Sequence, residues 1–131
     1  MAVMLVCLLI SIVLPILAKA PLANAMHKIG GYDNRHPREQ QAKLNGFGAR
    51  ALAAHKNSFE AVSYFAPAVI VVIALGAIDE TAKLLAMSFV ASRVVYLVSY
   101  WCNWDKLRST AWIIGFGCSV ALIVRLLLAF G

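Results

Sequence analysis

The sequence predicts an all-α integral membrane protein, a single domain built as a bundle of four transmembrane helices. Hydrophobic residues make up 62% of the 131 residues and charged residues only 14%, whereas a soluble domain is about half apolar and about a quarter charged. The apolar residues form successive blocks that are long enough to cross a bilayer, and the charges cluster between them. The predicted domain is 1–131, with spans at 2–19, 38–77, 81–101 and 108–130.

The first apolar run, residues 2–19, is just long enough to span a membrane. A cleaved signal peptide is the alternative, because Ala18-Lys19-Ala20 resembles a cleavage site. Signal peptides carry basic residues before the apolar core, whereas the first cation here is Lys19. This charge order favours a retained span, in which Pro15 predicts a kink near the inner end. Residues 21–36 are predicted to form the first loop.

The second span, residues 38–77, is predicted to belong to one long helix that continues to Leu75. Pro37 suits a first helical position, and Glu39 suits the first turn. No strong stop follows before Leu75 except Pro67, which predicts a bend. Such a helix would be about 57 Å long, so its first part would project into the cytoplasm or line a pocket. A small-residue face on it predicts close helix contact and consists of Gly46, Ala49 and Ala53.

The third span, residues 81–101, carries a polar stripe made of Arg93, Tyr96 and Tyr100 at spacings i, i+3 and i+7. Tyrosine is common near membrane interfaces, but an ionisable side chain within a span is costly and usually marks a functional site. The fourth span is predicted to run from Arg108 to Phe130. Arg125 is expected to snorkel outward from it.

The distribution of charge predicts the topology. Most of the cations lie between the first two apolar blocks, namely Lys19, Lys28, Arg35, Arg38, Lys43, Arg50 and Lys56. Lys106 and Arg108 lie between the third and fourth blocks. The positive-inside rule therefore predicts that the first and last connections are cytoplasmic and that both termini face outward. No basic stripe is interleaved with aromatic residues on a soluble face, which argues against a nucleic-acid partner.

The three cysteines predict neither a disulfide framework nor a metal site, because their number is odd and no CxxC occurs. None of them, Cys7, Cys102 or Cys118, is placed to act as a nucleophile.

Polar residues of the second, third and fourth spans are predicted to meet at one depth. Arg50, Asn57 and Glu60 share one helix face, while His55 lies on another, because a helix turns about 100° per residue. Counted from the outer loop, Glu60 and Tyr100 both lie about 27–28 Å in, and Arg93 about 18 Å in. The alternative is a polar clasp between helices of an oligomer. As a binding site, these polar residues suit a small zwitterion or polyanion, because arginine binds carboxylates and Glu60 would bind an ammonium.

Motifs in the second, third and fourth predicted helices resemble those of a known family. Arg50-x4-His55-x-Asn57-x2-Glu60 resembles the second-helix signature of the MAPEG family, the membrane-associated proteins of eicosanoid and glutathione metabolism. Arg93-x2-Tyr96-x3-Tyr100 matches the third-helix pattern of this family. Leu107-Arg108-Ser109 is similar to the start of its fourth helix. The resemblance is to a bacterial-type member and covers nearly the whole chain.

The resemblance implies a homotrimer in a bacterial inner membrane, with glutathione as co-substrate at cytoplasmic-side subunit interfaces and a lipophilic second substrate arriving from the membrane lipid. The implied chemistry is transfer to an electrophile or reduction of a hydroperoxide. Arg108 would be catalytic, beside the thiol, and no metal is implied. The implied glutathione-binding residues are Arg50, His55, Asn57, Glu60, Arg93, Tyr96, Tyr100 and Ser109.

One position departs from the family pattern: Ala53 stands where the family has a second arginine. A carboxylate contact is lost there unless Lys56, Arg38 or Lys43 replaces it. This departure supports a second hypothesis, a non-catalytic scaffold or lipid- and metabolite-binding member of the same fold. A third hypothesis is a small transporter or channel subunit, since Arg93 is compatible with an anion path, although no inverted repeat is visible.

Overall fold

The computed structural model describes residues 1–131, which form five α-helices and no strand. Four of the helices are long and apolar enough to cross a membrane. The predicted all-α fold with four spans is therefore confirmed. The helices are α1 (Ala2–Lys28), α2 (Pro37–Ala42), α3 (Phe47–Ala74), α4 (Glu80–Trp101) and α5 (Asp105–Phe130).

The core lies where the four long helices meet. Helix α1 packs along α3, α4 packs along α5, and α3 also contacts both α4 and α5. The rings of Phe65 and Phe89 stack at the centre, with centroids 3.7 Å apart and planes 3° apart. Many large apolar side chains remain exposed on the outer faces. Such faces suit a bilayer, because lipid tails are as apolar as leucine.

Helix α1 is longer than predicted. It continues through Pro21 and ends at Lys28, so the prediction of a loop is wrong for residues 21–28. A proline inside a helix removes one backbone hydrogen bond, and apolar packing stabilises the helix beyond it. The buried residues that follow Pro21 join a second apolar cluster, made of Leu22, Ala25, Met26, Leu44 and Ala51.

The prediction of one unbroken helix from Pro37 to Leu75 is wrong, because the chain breaks between α2 and α3. Gly46 precedes α3 with φ 54° and ψ −122°, and the left-handed side of φ/ψ space favours glycine. The predicted small-residue face therefore loses Gly46. Gly48 makes the close contact instead, since a Cβ there would lie 2.9 Å from the Leu44 side chain. Helix α3 alone has 28 residues, or about 42 Å.

The connection between α1 and α2 is held by one buried amide, that of Gln40. Its Nε2 donates to the carbonyl oxygens of Met26, at 3.1 Å, and Gly31, at 2.5 Å. Its Oε1 accepts from the backbone N–H of Asp33 at 3.0 Å. The Asp33 carboxylate in turn accepts backbone N–H bonds from His36 and Arg35, and these bonds, that of His36 foremost, lower the pKa of Asp33. The loop is thus shorter than predicted and is held by side-chain hydrogen bonds.

The opposite end of the bundle is tied by Asp79. Its side chain caps α4 by accepting from the N–H of Ala82 at 2.7 Å, and it also forms an ion pair with Arg125 of α5. Arg125 therefore has a defined partner at the end toward which it was expected to snorkel. Helix α5 begins at Asp105, three residues before the predicted start of the fourth span.

Helices α4 and α5 approach closely at Gly115, and this contact generates a prediction. A Cβ on Gly115 would lie 2.6 Å from the buried Ser92 Oγ, whereas one on Gly117 would meet nothing within 4 Å. Gly115→Ala should lower the free energy of unfolding by about 1–3 kcal/mol through overpacking. Gly117→Ala should leave it unchanged or raise it by up to about 1 kcal/mol through helix propensity. Denaturation in mixed micelles measures both.

A double variant separates this contact from a general effect on the helix. Ser92→Ala removes the Oγ atom, so Gly115→Ala should cost less in that background than in the wild type. Equal stabilities for Gly115→Ala and Gly117→Ala would show that the helices do not approach closely at Gly115.

Candidate functional site

Six polar side chains from three helices form a continuous array, which we call the Arg93 cluster. Helix α3 contributes Asn57 and Glu60, which lie on one face because they are three residues apart. Helix α4 contributes the stripe that contains Arg93, and α5 contributes a residue of its first turns. The members of the cluster are Asn57, Glu60, Arg93, Tyr96, Tyr100 and Arg108.

Arg93 lies in the buried middle of this array, with 2% of its surface exposed. Its Nη2 donates to Asn57 Oδ1 at 2.7 Å. The Asn57 Nδ2 then donates to Glu60 Oε2, also at 2.7 Å. A buried charge is costly unless it is paired or hydrogen-bonded. The Asn57 amide therefore connects the guanidinium to a carboxylate that does not contact it directly.

Aromatic rings extend the array from Arg93 to α5. The Arg93 guanidinium lies 4.1 Å from the centroid of the Tyr96 ring. The rings of Tyr96 and Tyr100 pack edge to face, with centroids 5.4 Å apart. The Arg108 guanidinium lies 4.5 Å from the Tyr100 centroid. Cation–π contacts of this kind orient guanidinium groups over the ring face, so the two arginines are linked through two tyrosines.

Exposure differs sharply along the array. Glu60 is exposed and Arg108 is half-buried, whereas Arg93 and Tyr96 are buried. A molecule at the surface of this chain would therefore meet the carboxylate at one end and Arg108 at the other. Arg93 keeps two buried nitrogen atoms, Nε and Nη1, without a protein partner. The cluster holds two cations and one carboxylate, so it favours an anionic or zwitterionic molecule.

Sequence reasoning missed Tyr64. Its hydroxyl is buried without a hydrogen-bond partner, and its ring packs edge to face on Phe89 of α4 and Phe116 of α5. Tyr64 lies four residues after Glu60, and residues four apart share a helix face. This spacing was the signal in the sequence that could have placed it beside the cluster.

Two of the predicted binding residues on α3 lie apart from the cluster. His55 Nδ1 lies 2.9 Å from the carbonyl oxygen of Pro15 on α1, and its ring packs on Phe59. It therefore joins α3 to α1 in this chain, in agreement with its predicted angle on the helix. Arg50 is half-buried and has a buried Nε without a partner. It makes no hydrogen bond to Asn57 or Glu60.

The fourth-helix motif is divided in the same way. Arg108 belongs to the cluster, whereas Ser109 is exposed and makes no hydrogen bond to it.

None of the cations proposed as substitutes at Ala53 bonds to the cluster either. Arg38 donates to Gln41 Oε1 at 3.3 Å, and Lys43 lies in the connection between α2 and α3.

The three cysteines are free, with Cys7 and Cys118 buried in the core and Cys102 exposed. No group of three or more histidine, cysteine or acidic side chains is placed to hold a metal ion. A reactive thiol at the Arg93 cluster would therefore have to come from a bound molecule.

Comparison with known families decides the affiliation. The model of the MAPEG family matches residues 3–128, which include all four spans and the whole Arg93 cluster. The chain belongs to the MAPEG family. The resemblance read from the second, third and fourth helices is thereby confirmed. Searches of curated proteins and of solved structures returned no significant match. As a MAPEG protein with four apolar helices, the chain is an integral membrane protein of a glutathione-related family of transferase- and peroxidase-like proteins.

The hydrogen bond between Asn57 and Arg93 generates a prediction about stability. Asn57→Ala should lower the free energy of unfolding by about 1.5–3 kcal/mol, the range for hydrogen bonds to charged groups. Glu60→Gln should cost less, because glutamine keeps an oxygen that accepts from Asn57. Denaturation in mixed micelles would rank the variants.

Ser63→Ala is the matched control on the same helix. Ser63 is exposed and its hydroxyl bonds only within α3, to the carbonyl of Glu60, so its loss should change stability by less than about 0.5 kcal/mol. If Asn57→Ala is as stable as Ser63→Ala, the buried guanidinium does not depend on the amide.

Proposed function

We propose that the Arg93 cluster binds glutathione and activates its thiol, which makes this MAPEG protein a membrane-bound glutathione transferase or peroxidase. The observation that carries the proposal is the unbroken array from Glu60 to Arg108 across three helices. Glutathione has one ammonium, two carboxylates and a thiol. The array offers a carboxylate at one end and an arginine at the other, with hydrogen-bonding groups between them.

Accessibility decides the role of each residue. Glu60 is exposed and would bind the ammonium group, while Asn57 would hold the neighbouring polar atoms of the peptide. Arg93 is too buried to be the main contact, so it acts through Asn57 by fixing the orientation of the amide. Tyr100 would line the site, with Tyr96 supporting Arg93 beneath it. Arg50, His55 and Ser109 would take part only if a second chain or the bound peptide brings them to the cluster.

Arg108 is the proposed catalytic residue. A thiol has a pKa of about 8.5 and is mostly protonated at neutral pH, and a neighbouring positive charge favours the thiolate. The thiolate would attack an electrophilic carbon of a lipophilic substrate, forming a C–S bond as the leaving group departs. With a hydroperoxide, attack would form an S–O bond and break the O–O bond, which releases an alcohol and leaves glutathione as its sulfenic acid. The thiol of a second glutathione would then attack this sulfur, forming the disulfide and releasing water.

The exposure of Glu60 supports an oligomer, and the resemblance to the family implies that this oligomer is a homotrimer. An ionised carboxylate in a membrane-spanning helix is costly when it faces lipid, and no wall from the same chain covers it. A neighbouring copy would cover Glu60 and close the site at a subunit interface. The charge distribution supports an orientation in which both termini face outward and the site opens on the cytoplasmic side. The resemblance to a bacterial-type member is what supports a bacterial inner membrane.

The second candidate is a non-catalytic scaffold that binds lipids or metabolites and keeps the same fold. Ala53 favours it, because no other cation takes the place of the missing arginine by bonding to the cluster. Such a protein would keep the Arg93 cluster for stability. It would show no conjugation or peroxidase turnover in detergent with any electrophile or hydroperoxide.

Calorimetric titration of the purified protein tests thiol activation. The ligands are glutathione and an analogue in which alanine replaces its cysteine. Arg108→Ala should leave the affinity for the analogue within about three-fold. It should raise the thiol pKa in the complex by at least one unit, each unit being about 1.4 kcal/mol, as measured by thiolate absorbance. Lys106→Ala is the control, since Lys106 is exposed on the same helix.

Glu60→Ala tests the binding of the peptide separately. It should weaken both ligands by about ten-fold or more, because it removes a charge-assisted hydrogen bond worth about 1.5–3 kcal/mol. Equal glutathione affinities for the wild type, Arg108→Ala and Glu60→Ala would contradict the proposal that glutathione binds at the Arg93 cluster. Glutathione binding without thiolate formation or turnover would favour the scaffold.

A further inference from the structure

A second polar site lies at the end of α1, separate from the Arg93 cluster. It is a recess of about 300 Å³ between the end of α1 and the connection that leads into α3. We call it the α1 recess, and the residues that define it are Asn24, Lys28, Ile29, Lys43, Asn45 and Phe47. It shares no residue with the Arg93 cluster. Gly48 at its edge precedes Asn57 by nine residues, or about 13 Å along α3.

The walls of the α1 recess are held in place before any ligand arrives. Gln40 is buried and ties the connection to α1 through the carbonyl of Met26. Leu44 is 8% exposed and packs against α1 in the second apolar cluster. Gly48 allows this approach, because a Cβ there would lie 3.3 Å from that of Ala25. A site that is already ordered loses less entropy when it binds.

The lining of the recess is cationic. Neither Lys28 nor Lys43 forms a salt bridge, and no acidic side chain lines the recess. Asp33 lies close enough for the charge of Lys43 to act on it, but its carboxylate already accepts two backbone N–H bonds. The Asn24 amide adds hydrogen-bond donors, and the Asn45 Nδ2, which already donates to the carbonyl oxygen of Lys43 at 3.3 Å, has a second N–H. Two free ammonium groups beside two amides fit a phosphate.

The position of the recess points to a lipid as the source of that phosphate. Helix α1 ends at Lys28 and α3 begins at Phe47, so the recess lies at the shared end of two helices that are long and apolar enough to cross a membrane. Two apolar side chains there are exposed, Ile29 at 48% and Phe47 at 41%. An inorganic anion would make no apolar contact with these two side chains. A phospholipid would place its phosphate near the lysines and its glycerol and upper acyl carbons against Ile29 and Phe47.

We propose that the α1 recess is a binding site for the headgroup of an anionic phospholipid. Lys28 and Lys43 bind the phosphate from two sides, and Asn24 and Asn45 donate to headgroup oxygens. Basic recesses at membrane-spanning helix ends bind anionic headgroups through such contacts. The occupied site would join α1 to the connection that leads into the helix bearing Asn57 and Glu60.

Native mass spectrometry of the detergent-solubilised full chain, titrated with phosphatidylglycerol or phosphatidylcholine, tests the proposal. The wild type should bind phosphatidylglycerol more tightly than phosphatidylcholine. Lys28→Gln/Lys43→Gln should weaken phosphatidylglycerol binding by about 30-fold, since each lysine near an anionic surface contributes about 1 kcal/mol, or about five-fold. Lys28→Arg/Lys43→Arg should keep most of the wild-type affinity for phosphatidylglycerol.

The matched control is Lys19→Gln/Lys106→Gln, which removes the same charge from two exposed lysines outside the recess. It should change phosphatidylglycerol binding by less than about two-fold. Equal losses in the two double glutamine variants would overturn the proposal in favour of diffuse surface charge. Equal binding of the two lipids by the wild type would overturn it too. Displacement of phosphatidylglycerol by equimolar inorganic phosphate would show a site for a free anion rather than a lipid.

Discussion

The burial of the Arg93 guanidinium is the constraint on which the rest of the site depends. A charged side chain inside a membrane-spanning bundle must find partners within the protein, because lipid offers none. Asn57 supplies a hydrogen bond from α3, and Tyr96 supplies the face of its ring from α4 itself. The bond to Asn57 fixes the register of α3 against α4, and the Tyr96 ring holds the guanidinium in place for it. Once that register is set, Glu60 and Tyr100 have little freedom to lie elsewhere.

The two ends of the bundle are stabilised by different means. At the end that contains the α3–α4 connection, Asp79 joins the start of α4 to α5 through Arg125. At the other end the buried Gln40 amide holds the α1–α2 loop by three hydrogen bonds. Both devices satisfy polar groups that would otherwise face lipid or apolar packing. The Arg93 cluster can therefore stay open on one side without loosening the bundle.

The spans and the cluster could be predicted because they follow simple periodicities. Apolar length gave four spans, and depth counting on α3 and α4 brought Glu60 and Tyr100 to one level, where the structure places them in one array. The helix boundaries near Pro21 and Gly46 could not be predicted in this way. Apolar packing outweighed the lost hydrogen bond at Pro21. Gly46 was predicted to make a contact between helices, but its backbone adopts a positive φ in the break before α3. Tyr64 was missed because a single tyrosine in an apolar helix does not by itself indicate a site. Only its spacing of four residues from Glu60 places it on the same helix face.

Charge balance addresses the doubt raised by Ala53. The cluster contains two arginines and one glutamate, which leaves one positive charge. Glutathione with its thiol protonated carries two carboxylates and one ammonium, which leaves one negative charge. An additional arginine at position 53 would raise the charge of the site but is not needed for neutrality. When the thiol ionises the ligand gains a second negative charge, and of the two arginines in the cluster Arg108 is the more accessible. In the proposed site, the arginine missing at position 53 would therefore lower the affinity for the peptide more than it would hinder thiolate formation beside Arg108.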